Sequence, residues 1–337
     1  MRLLVVSRTG YGLGVASHLS GEGHSVDVLV GASLPTKLPT IPPDIAIFDS
    51  HADSVLAKSI RTKGVRVLGV SDWSSILASN QEYRINLIDA IGYKLWKDEP
   101  GIDVIVSCWF NGQRFISKSI VFNYDRMMAG DVGTKVDSAG YVACFDVDKS
   151  SLVRDVLTPI EKFLRKANHR GCFSISVRIT DGPDILVKDI SAEFTKPYTQ
   201  AIYENTRTPK SDVLLSIFNE SSQPLKHVEP YVCGVGLSVY PYPQSVPNAL
   251  VTISGICAAN TKHIWSMDII KEDDVWVSGH LNGCIGYVTA RGSSVQEAQR
   301  RAYRTISNLK ADGLQYRIDI GKNVGEGLFK LRSKHLI

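Results

Sequence analysis

The sequence predicts an α/β protein, because short apolar strands alternate with helical segments near its start and a run of strands follows later. Strands are predicted at residues 3–6, 26–30, 44–48 and 65–69, and helices at residues 10–19, 52–61 and 80–89. Strands separated by helices in this way form a parallel sheet that is covered on both faces. From about residue 224 the strands follow one another and a helix closes them, so the chain as a whole is α+β.

The composition is that of a globular protein with two or three domains. The chain has 337 residues, of which 44% are apolar, and these suffice to form substantial cores. Its formal net charge is +4 and its charged residues are dispersed, whereas nucleic-acid binding requires a concentrated basic surface. We therefore expect no nucleic-acid partner.

The cysteines and the N-terminus indicate a reducing, cytoplasmic location. The six cysteines have neither the spacing of a metal site nor that of a disulfide framework, so we expect buried thiols. The chain begins with a strand rather than a signal peptide, and no apolar run approaches the ~18 residues of a membrane span. We expect a cytoplasmic protein without a membrane partner.

A glycine-rich turn follows the first strand. Its glycines are Gly10, Gly12 and Gly14, and the third comes one position too early for a dinucleotide-binding loop. The second strand also lacks the acidic residue that would bind a ribose. Two interpretations remain: the turn presents helix N–H groups to an anion, or its glycines allow close packing.

The most specific pattern lies near the end of the chain. A strand at residues 286–292 leads into a helix that Ser293 or Ser294 caps, with Glu297 placed as in a capping box. The segment 316–321 then reads Tyr-Arg-Ile-Asp-Ile-Gly. This order closely resembles the C-terminal domain of glycinamide ribonucleotide synthetase (phosphoribosylamine–glycine ligase), an ATP-grasp enzyme of purine biosynthesis.

The resemblance implies an ATP-grasp-like fold in three parts. These are an N-terminal Rossmann-like domain at residues 1–80, a reduced ATP-grasp core at 81–222, and a closing domain of mixed strands and helices at 223–337. In the family, a lid subdomain inside the core carries a lysine that reaches the nucleotide phosphates. Here only residues 97–102 stand in its place, which is too short a segment to form a folded module.

The resemblance also implies a substrate-binding loop. Arg126, Gly130, Asp131, Gly133 and Gly140 match the glycine-rich loop that lies beside the substrate in the family, where glycines let the backbone approach closely. The match is incomplete, because a lysine replaces an asparagine at position 135, and Asp-Ser replaces a glycine pair at positions 137–138. The alternative is a surface turn without a ligand.

A metal-binding strand is implied after the turn at residues 180–183. The family holds Mg²⁺ there with a glutamate and an asparagine, followed by an arginine. Counting back from Pro197 places Asp189, Ser191 and Glu193 at these positions, whereas counting forward places Val187 and Asp189 at the first two. Alternate residues of a strand share one face, so Asp189, Ser191 and Glu193 form a candidate magnesium site. The alternative is the exposed face of an edge strand.

Two functions follow from these residues. In the first, the chain is a divergent ligase that uses ATP and Mg²⁺ to phosphorylate a carboxylate such as that of glycine, after which an amine such as phosphoribosylamine attacks the acyl phosphate. In the second, it is a non-catalytic ligand-binding or scaffolding homologue, a pseudoenzyme that has lost ATP closure. Either function implies a small-molecule partner, and the sequence does not predict an oligomeric state.

Overall fold

The computed structural model describes residues 1–31, 41–194, 197–243, 250–278 and 283–337. It begins with a parallel sheet of four strands, β1 (Arg2–Ser7), β2 (Ser25–Val30), β3 (Ile45–Phe48) and β4 (Arg66–Leu68). Their order in the sheet is β2-β1-β3-β4. This sheet confirms the predicted parallel arrangement.

Four helices lie between or directly after the strands of the first sheet in the sequence. They are α1 (Tyr11–Gly21), α2 (Ser54–Arg61), α3 (Asp72–Ser79) and α4 (Gln81–Ala90). Side chains of the flanking residues fix where two of them begin. Ser71 and Ser74 cap α3 reciprocally, and the Asn80 side chain accepts a hydrogen bond from the Tyr83 N–H at the start of α4.

A ten-stranded sheet forms the centre of the molecule. Its first strands are β5 (Lys94–Leu95), β6 (Gly101–Asn111), β7 (Phe115–Met128), β8 (Val132–Cys144), β9 (Arg170–Thr180) and β10 (Ile185–Ser191). Its later strands are β11 (Tyr231–Val239), β13 (Ile264–Ser266), β16 (Cys284–Gly292) and β17 (Leu314–Tyr316). The main path of the sheet runs β13-β16-β11-β8-β7-β6-β9-β10-β5, and β17 pairs with β11. Since β11 pairs with β8, one sheet continues across the boundary predicted at residues 222/223.

The remaining elements cover this sheet or extend from it. A separate three-stranded sheet contains β12 (Val251–Ile253), β14 (Ile270–Glu272) and β15 (Val275–Ser278). The helices are α5 (Ser151–Lys166), α6 (Gln200–Glu204), α7 (Lys210–Phe218), α8 (Val295–Ile306) and α9 (Val324–Ser333). No helix within the described ranges is long and apolar enough to cross a membrane.

The two faces of the large sheet belong to different cores. One face packs on α4 and α5, and α5 contributes a full apolar stripe: Leu152, Val153, Val156, Leu157, Ile160 and Leu164. The other face packs on α6, α7 and the N-terminal sheet through large aromatic side chains: Trp109, Tyr141, Tyr203, Trp265 and Tyr287. Burying a large apolar side chain stabilises a fold by roughly 2 kcal/mol, so both covered faces contribute to the stability of the sheet.

The structure differs from the predicted elements in several places. Helices α3, α5, α6 and α9 were not predicted, and the predicted loop at residues 126–140 consists mostly of β7 and β8 joined by a tight turn. The loop interpretation rested on its glycines, but Gly140 lies inside β8 and permits close packing there. Among the cysteines, five are buried as expected, and Cys257 is exposed.

Gly140→Ala should destabilise the fold by about 1–3 kcal/mol, because overpacking forces neighbours to move. An added Cβ would lie 2.7 Å from Ile320 Cδ1 and 2.8 Å from the Gly234 carbonyl oxygen. Urea denaturation measures the effect. Gly325→Ala in α9 is the matched control, since nothing lies within 4 Å of its Cβ position; this variant should be neutral or more stable. Equal stability of both variants would contradict the packing described for Gly140.

Candidate functional site

The glycine-rich turn after β1 is occupied by a carboxylate of the chain itself. Asp49, buried at the end of β3, accepts hydrogen bonds from the Arg8 N–H at 2.8 Å, from Thr9 Oγ1 at 2.8 Å and from the Gly12 N–H at 3.2 Å. A Cβ on Gly12 would lie 2.7 Å from Val5 Cγ1. The turn therefore presents N–H groups to an anion, which is the Asp49 carboxylate and not a bound ligand, and Gly12 also permits close packing.

The position of the lid is spanned by residues 96–100, which connect β5 directly to β6. Four side chains close this point, and we call them the junction cluster: Trp96, Asp103, Arg178 and Lys188. Asp103 accepts hydrogen bonds of 2.7 Å from both Arg178 and Lys188, and both cations lie over the Trp96 ring, at 5.5 and 5.4 Å from its centre. The sequence did not suggest this cluster, because only the strand register brings Asp103 opposite Arg178.

Asp103 is ionised in this setting. Burial by itself raises the pKa of its carboxyl group. The hydrogen bonds and positive charges of Arg178 and Lys188 together lower this pKa by more, so it lies below its ordinary value. The two cations thus have an internal counter-ion. They are held together as a structural unit at the sheet edge.

A bulge in β10 alters the predicted metal strand. The register with β9 shifts between Val187 and Asp189, which leaves Lys188 as the extra residue. Asp189 then pairs with Ser176 and Ser191 with Ser174. The intervening residues of β9 belong to the core on the α5 side, so Asp189 and Ser191 lie together on the opposite face.

The third predicted metal ligand lies beyond the strand. Glu193 follows the end of β10, and its carboxylate lies 3.5 Å from His51 Nε2. Burial lowers the pKa of His51, and the charge of Glu193 opposes that shift. Asp189 Oδ1 lies 3.8 Å from Arg84 Nε in α4. The alternative first ligand, Val187, is fully buried and has no donor atom.

Histidine, cysteine and acidic side chains do not assemble a metal centre in the described part of the chain, where no group of three or more could hold an ion. Asp189 and Ser191 share a face, and Glu193 contacts His51 instead. The magnesium site remains a prediction from the resemblance.

The predicted substrate loop forms the exposed tip of the β7–β8 hairpin. Gly130, Asp131 and Gly133 adopt left-handed backbone angles at this turn, and Arg126 Nη1 donates to the Gly133 carbonyl oxygen at 3.0 Å. Four of the five predicted residues therefore come together. Gly140 does not, because it is buried against Ile320.

A buried arginine fixes this hairpin to the C-terminal part of the chain. The Arg317 side chain is fully buried and pairs with Asp319 at 2.6 Å and with Asp131 at 2.7 Å. Its Nη1 donates to the Arg126 carbonyl oxygen at 3.1 Å, and its guanidinium lies 4.7 Å from the centre of the Tyr124 ring. The Arg-x-Asp of the C-terminal pattern thus has a structural role. Its pairing with Asp131 was not predicted.

Arg317→Met should destabilise the protein by about 1–3 kcal/mol, because it removes the hydrogen bonds of the buried guanidinium and leaves the half-buried Asp319 without its counter-ion. Thermal or urea unfolding measures this effect. Arg300→Met, at an exposed position of α8, is the control and should change stability by less than about 0.5 kcal/mol. If the two variants were equally stable, the buried network would not hold the hairpin.

Comparisons with known proteins agree with this architecture, although no family model matches the sequence. The phosphoribosylamine–glycine ligase of Halalkalibacterium halodurans is 25% identical over 269 residues, covering 77% of this chain and 61% of the relative. The ligase of the same name from Synechocystis is 26% identical over 235 residues, covering 66% of this chain and 55% of the relative. The chain therefore spans less than two thirds of the length of these relatives.

Solved structures identify the fold. The phosphoribosylamine–glycine ligase of Thermotoga maritima superposes with a TM-score of 0.74 at 16% identity, covering 95% of this chain and 100% of that one. The N5-carboxyaminoimidazole ribonucleotide synthetase of the same organism gives a TM-score of 0.56 at 12% identity over 93% of this chain and 99% of that one. The predicted resemblance is confirmed: this chain is similar in sequence to phosphoribosylamine–glycine ligases and shares their ATP-grasp fold.

Proposed function

We propose that this chain is a non-catalytic, ligand-binding relative of the phosphoribosylamine–glycine ligases that does not close over ATP by itself. The observation that carries this proposal is the connection of residues 96–100 between β5 and β6. Residues 96–100 are too few to form a folded lid. The junction cluster lies at the same edge, where the Asp103 carboxylate pairs with both Arg178 and Lys188.

The chemistry of an acyl-phosphate ligase explains why the lid matters. Phosphoryl transfer depends on positioned charges, and these charges act strongly only where water is excluded. An acyl phosphate also hydrolyses if water reaches it. Without a cover over β9 and β10, both requirements fail.

The predicted metal ligands support the same conclusion. Carboxylate and hydroxyl oxygens suit Mg²⁺, so Asp189 and Ser191 fit the ion in kind. Arg84 lies near Asp189, however, and His51 lies near Glu193. The positive charge of Arg84 disfavours the binding of Mg²⁺ beside Asp189. ATP and Mg²⁺ would be cofactors only if the chain were an active ligase.

A cavity beside the substrate hairpin suits a small ligand that carries an amine. It has a volume of about 340 Å³, and its polar lining includes Asp103, Asn123, Asp131, Glu326 and Lys330. Three of these five side chains are carboxylates. Asp103 and Asp131 are already paired with cations of the chain, so a compound resembling glycine or phosphoribosylamine, as in the names of the relatives, would present its amine chiefly to Glu326.

The second candidate function is a ligase whose cover comes from a partner protein. It is favoured by the placement of Asp189 and Ser191 on one face of β10. On this alternative, the two residues help to hold Mg²⁺ while a carboxylate is phosphorylated and an amine attacks it. Asp189 would then be indispensable for turnover.

Nucleotide titration separates the two functions. We expect no heat of binding for ATP with Mg²⁺ at millimolar concentration, and no phosphate release when glycine and phosphoribosylamine are added. Phosphate release that requires both substrates would refute the non-catalytic proposal.

Asp189→Asn should leave both the stability of the protein and its binding of glycine unchanged within twofold, because the proposed ligand lies at the Asp131 cavity. Isothermal titration calorimetry with glycine measures the binding, and urea denaturation measures the stability. Asp184→Asn in the same hairpin, which removes an exposed ion pair with Lys94, is the matched control. A loss of metal-dependent turnover confined to Asp189→Asn would support the ligase instead.

A further inference from the structure

A large cavity in the C-terminal part of the chain has a strongly basic lining. It lies between α8, the end of β16 and the segment after β12, and it has a volume of about 810 Å³. Lys262, Arg291, Arg301 and Arg304 line it together with one carboxylate, that of Glu204. Its volume is typical of sites for small molecules.

Most of this positive charge lacks an internal counter-ion. Arg301 pairs with Glu297 at 2.7 Å. For Lys262, Arg291 and Arg304, the described ranges of the chain contain no acidic side chain within ion-pair distance. Cations that line a concave surface reinforce one another, because the field is focused there.

The one carboxylate in the lining is already engaged. The Glu204 side chain is buried, and it accepts hydrogen bonds from Thr289 Oγ1 at 2.8 Å and from His263 Nδ1 at 3.0 Å. Arg291 donates to the backbone carbonyl oxygen of Glu204, at 2.8 Å, and not to its carboxylate. Glu204 therefore supports the wall of the cavity without neutralising Arg291 directly.

The walls are held in place by backbone contacts. Ser254 and Lys310 exchange two backbone hydrogen bonds, of 2.9 and 3.1 Å, which join the segment after β12 to the segment after α8. Gly255 packs so tightly that a Cβ would lie 1.8 Å from the Asn308 carbonyl oxygen. Asn260 bridges Gly255 and Cys257 through its side chain. A site that is formed before binding loses little free energy in ordering.

We propose that this cavity binds a small anion with at least two negative charges, of the diphosphate or triphosphate class, through Lys262, Arg291 and Arg304. Arg301 and Arg304 stand one turn apart on α8, and guanidinium groups match phosphate oxygens in pairs. The site is separate from the predicted metal strand. Its strand β16 and β10 lie near opposite ends of the large sheet.

Calorimetric titration of the whole chain with inorganic pyrophosphate, without added metal, tests the proposal. The double variant Lys262→Ala/Arg304→Ala should weaken binding at least tenfold. Both side chains are exposed, so the fold should persist. Arg300→Ala removes an exposed cation of the same helix that does not line the cavity, and its affinity should stay within twofold of the unsubstituted protein.

A spectroscopic probe locates the anion. Cys257 lines the cavity and is the exposed cysteine among six, so a fluorinated thiol reagent labels it selectively. Pyrophosphate should shift the ¹⁹F resonance with the same dissociation constant that calorimetry gives. The proposal is overturned if pyrophosphate does not bind, if Arg300→Ala weakens binding as much as the double variant, or if binding leaves the ¹⁹F resonance unchanged.

Discussion

The buried guanidinium of Arg317 is the interaction on which the arrangement of the candidate site depends. It joins a hairpin of the central region to the C-terminal segment through two carboxylates and a backbone carbonyl. An arginine in such a place requires partners on every side, because an unpaired buried charge is strongly unfavourable. The hairpin tip therefore has one orientation, although its residues are exposed.

The large sheet transmits this constraint to the rest of the molecule. Since β8 pairs with both β7 and β11, the strands of the core and of the C-terminal part form one continuous surface. The same sheet carries the junction cluster near one end and the basic cavity near the other. Two chemically different sites are thereby held at fixed positions without a shared loop.

The periodicity of the sequence predicted the parallel N-terminal sheet, and the family resemblance together with the number of residues available predicted the shortened lid region. The sequence also predicted the cap of α8, where Ser294 accepts from the Glu297 N–H. It could not predict contacts that depend on register. A bulge at Lys188 shifts the register of β10 against β9, and nothing in the local sequence indicates it. The ion pair between Asp131 and Arg317 joins residues that are distant in sequence.

Helix α5 was missed for a different reason. Pro159 lies inside it, and proline in a helical pattern normally argues for an interruption. The six apolar residues that face the sheet outweigh that preference. The Asp49 carboxylate likewise occupies a place where local sequence allowed an external anion, and only the parallel packing of β1 against β3 brings it there.

The short connection between β5 and β6 has a consequence for evolution and engineering. Its residues lie at the edge of the sheet, where exposed segments tolerate inserted domains. The flanking strands are anchored independently, β5 through β10 and β6 through β7 and β9. A folded module inserted at residues 97–100 would thus be attached to two strands that are already held in the sheet. This edge can therefore gain or lose a whole subdomain without loss of the remaining fold.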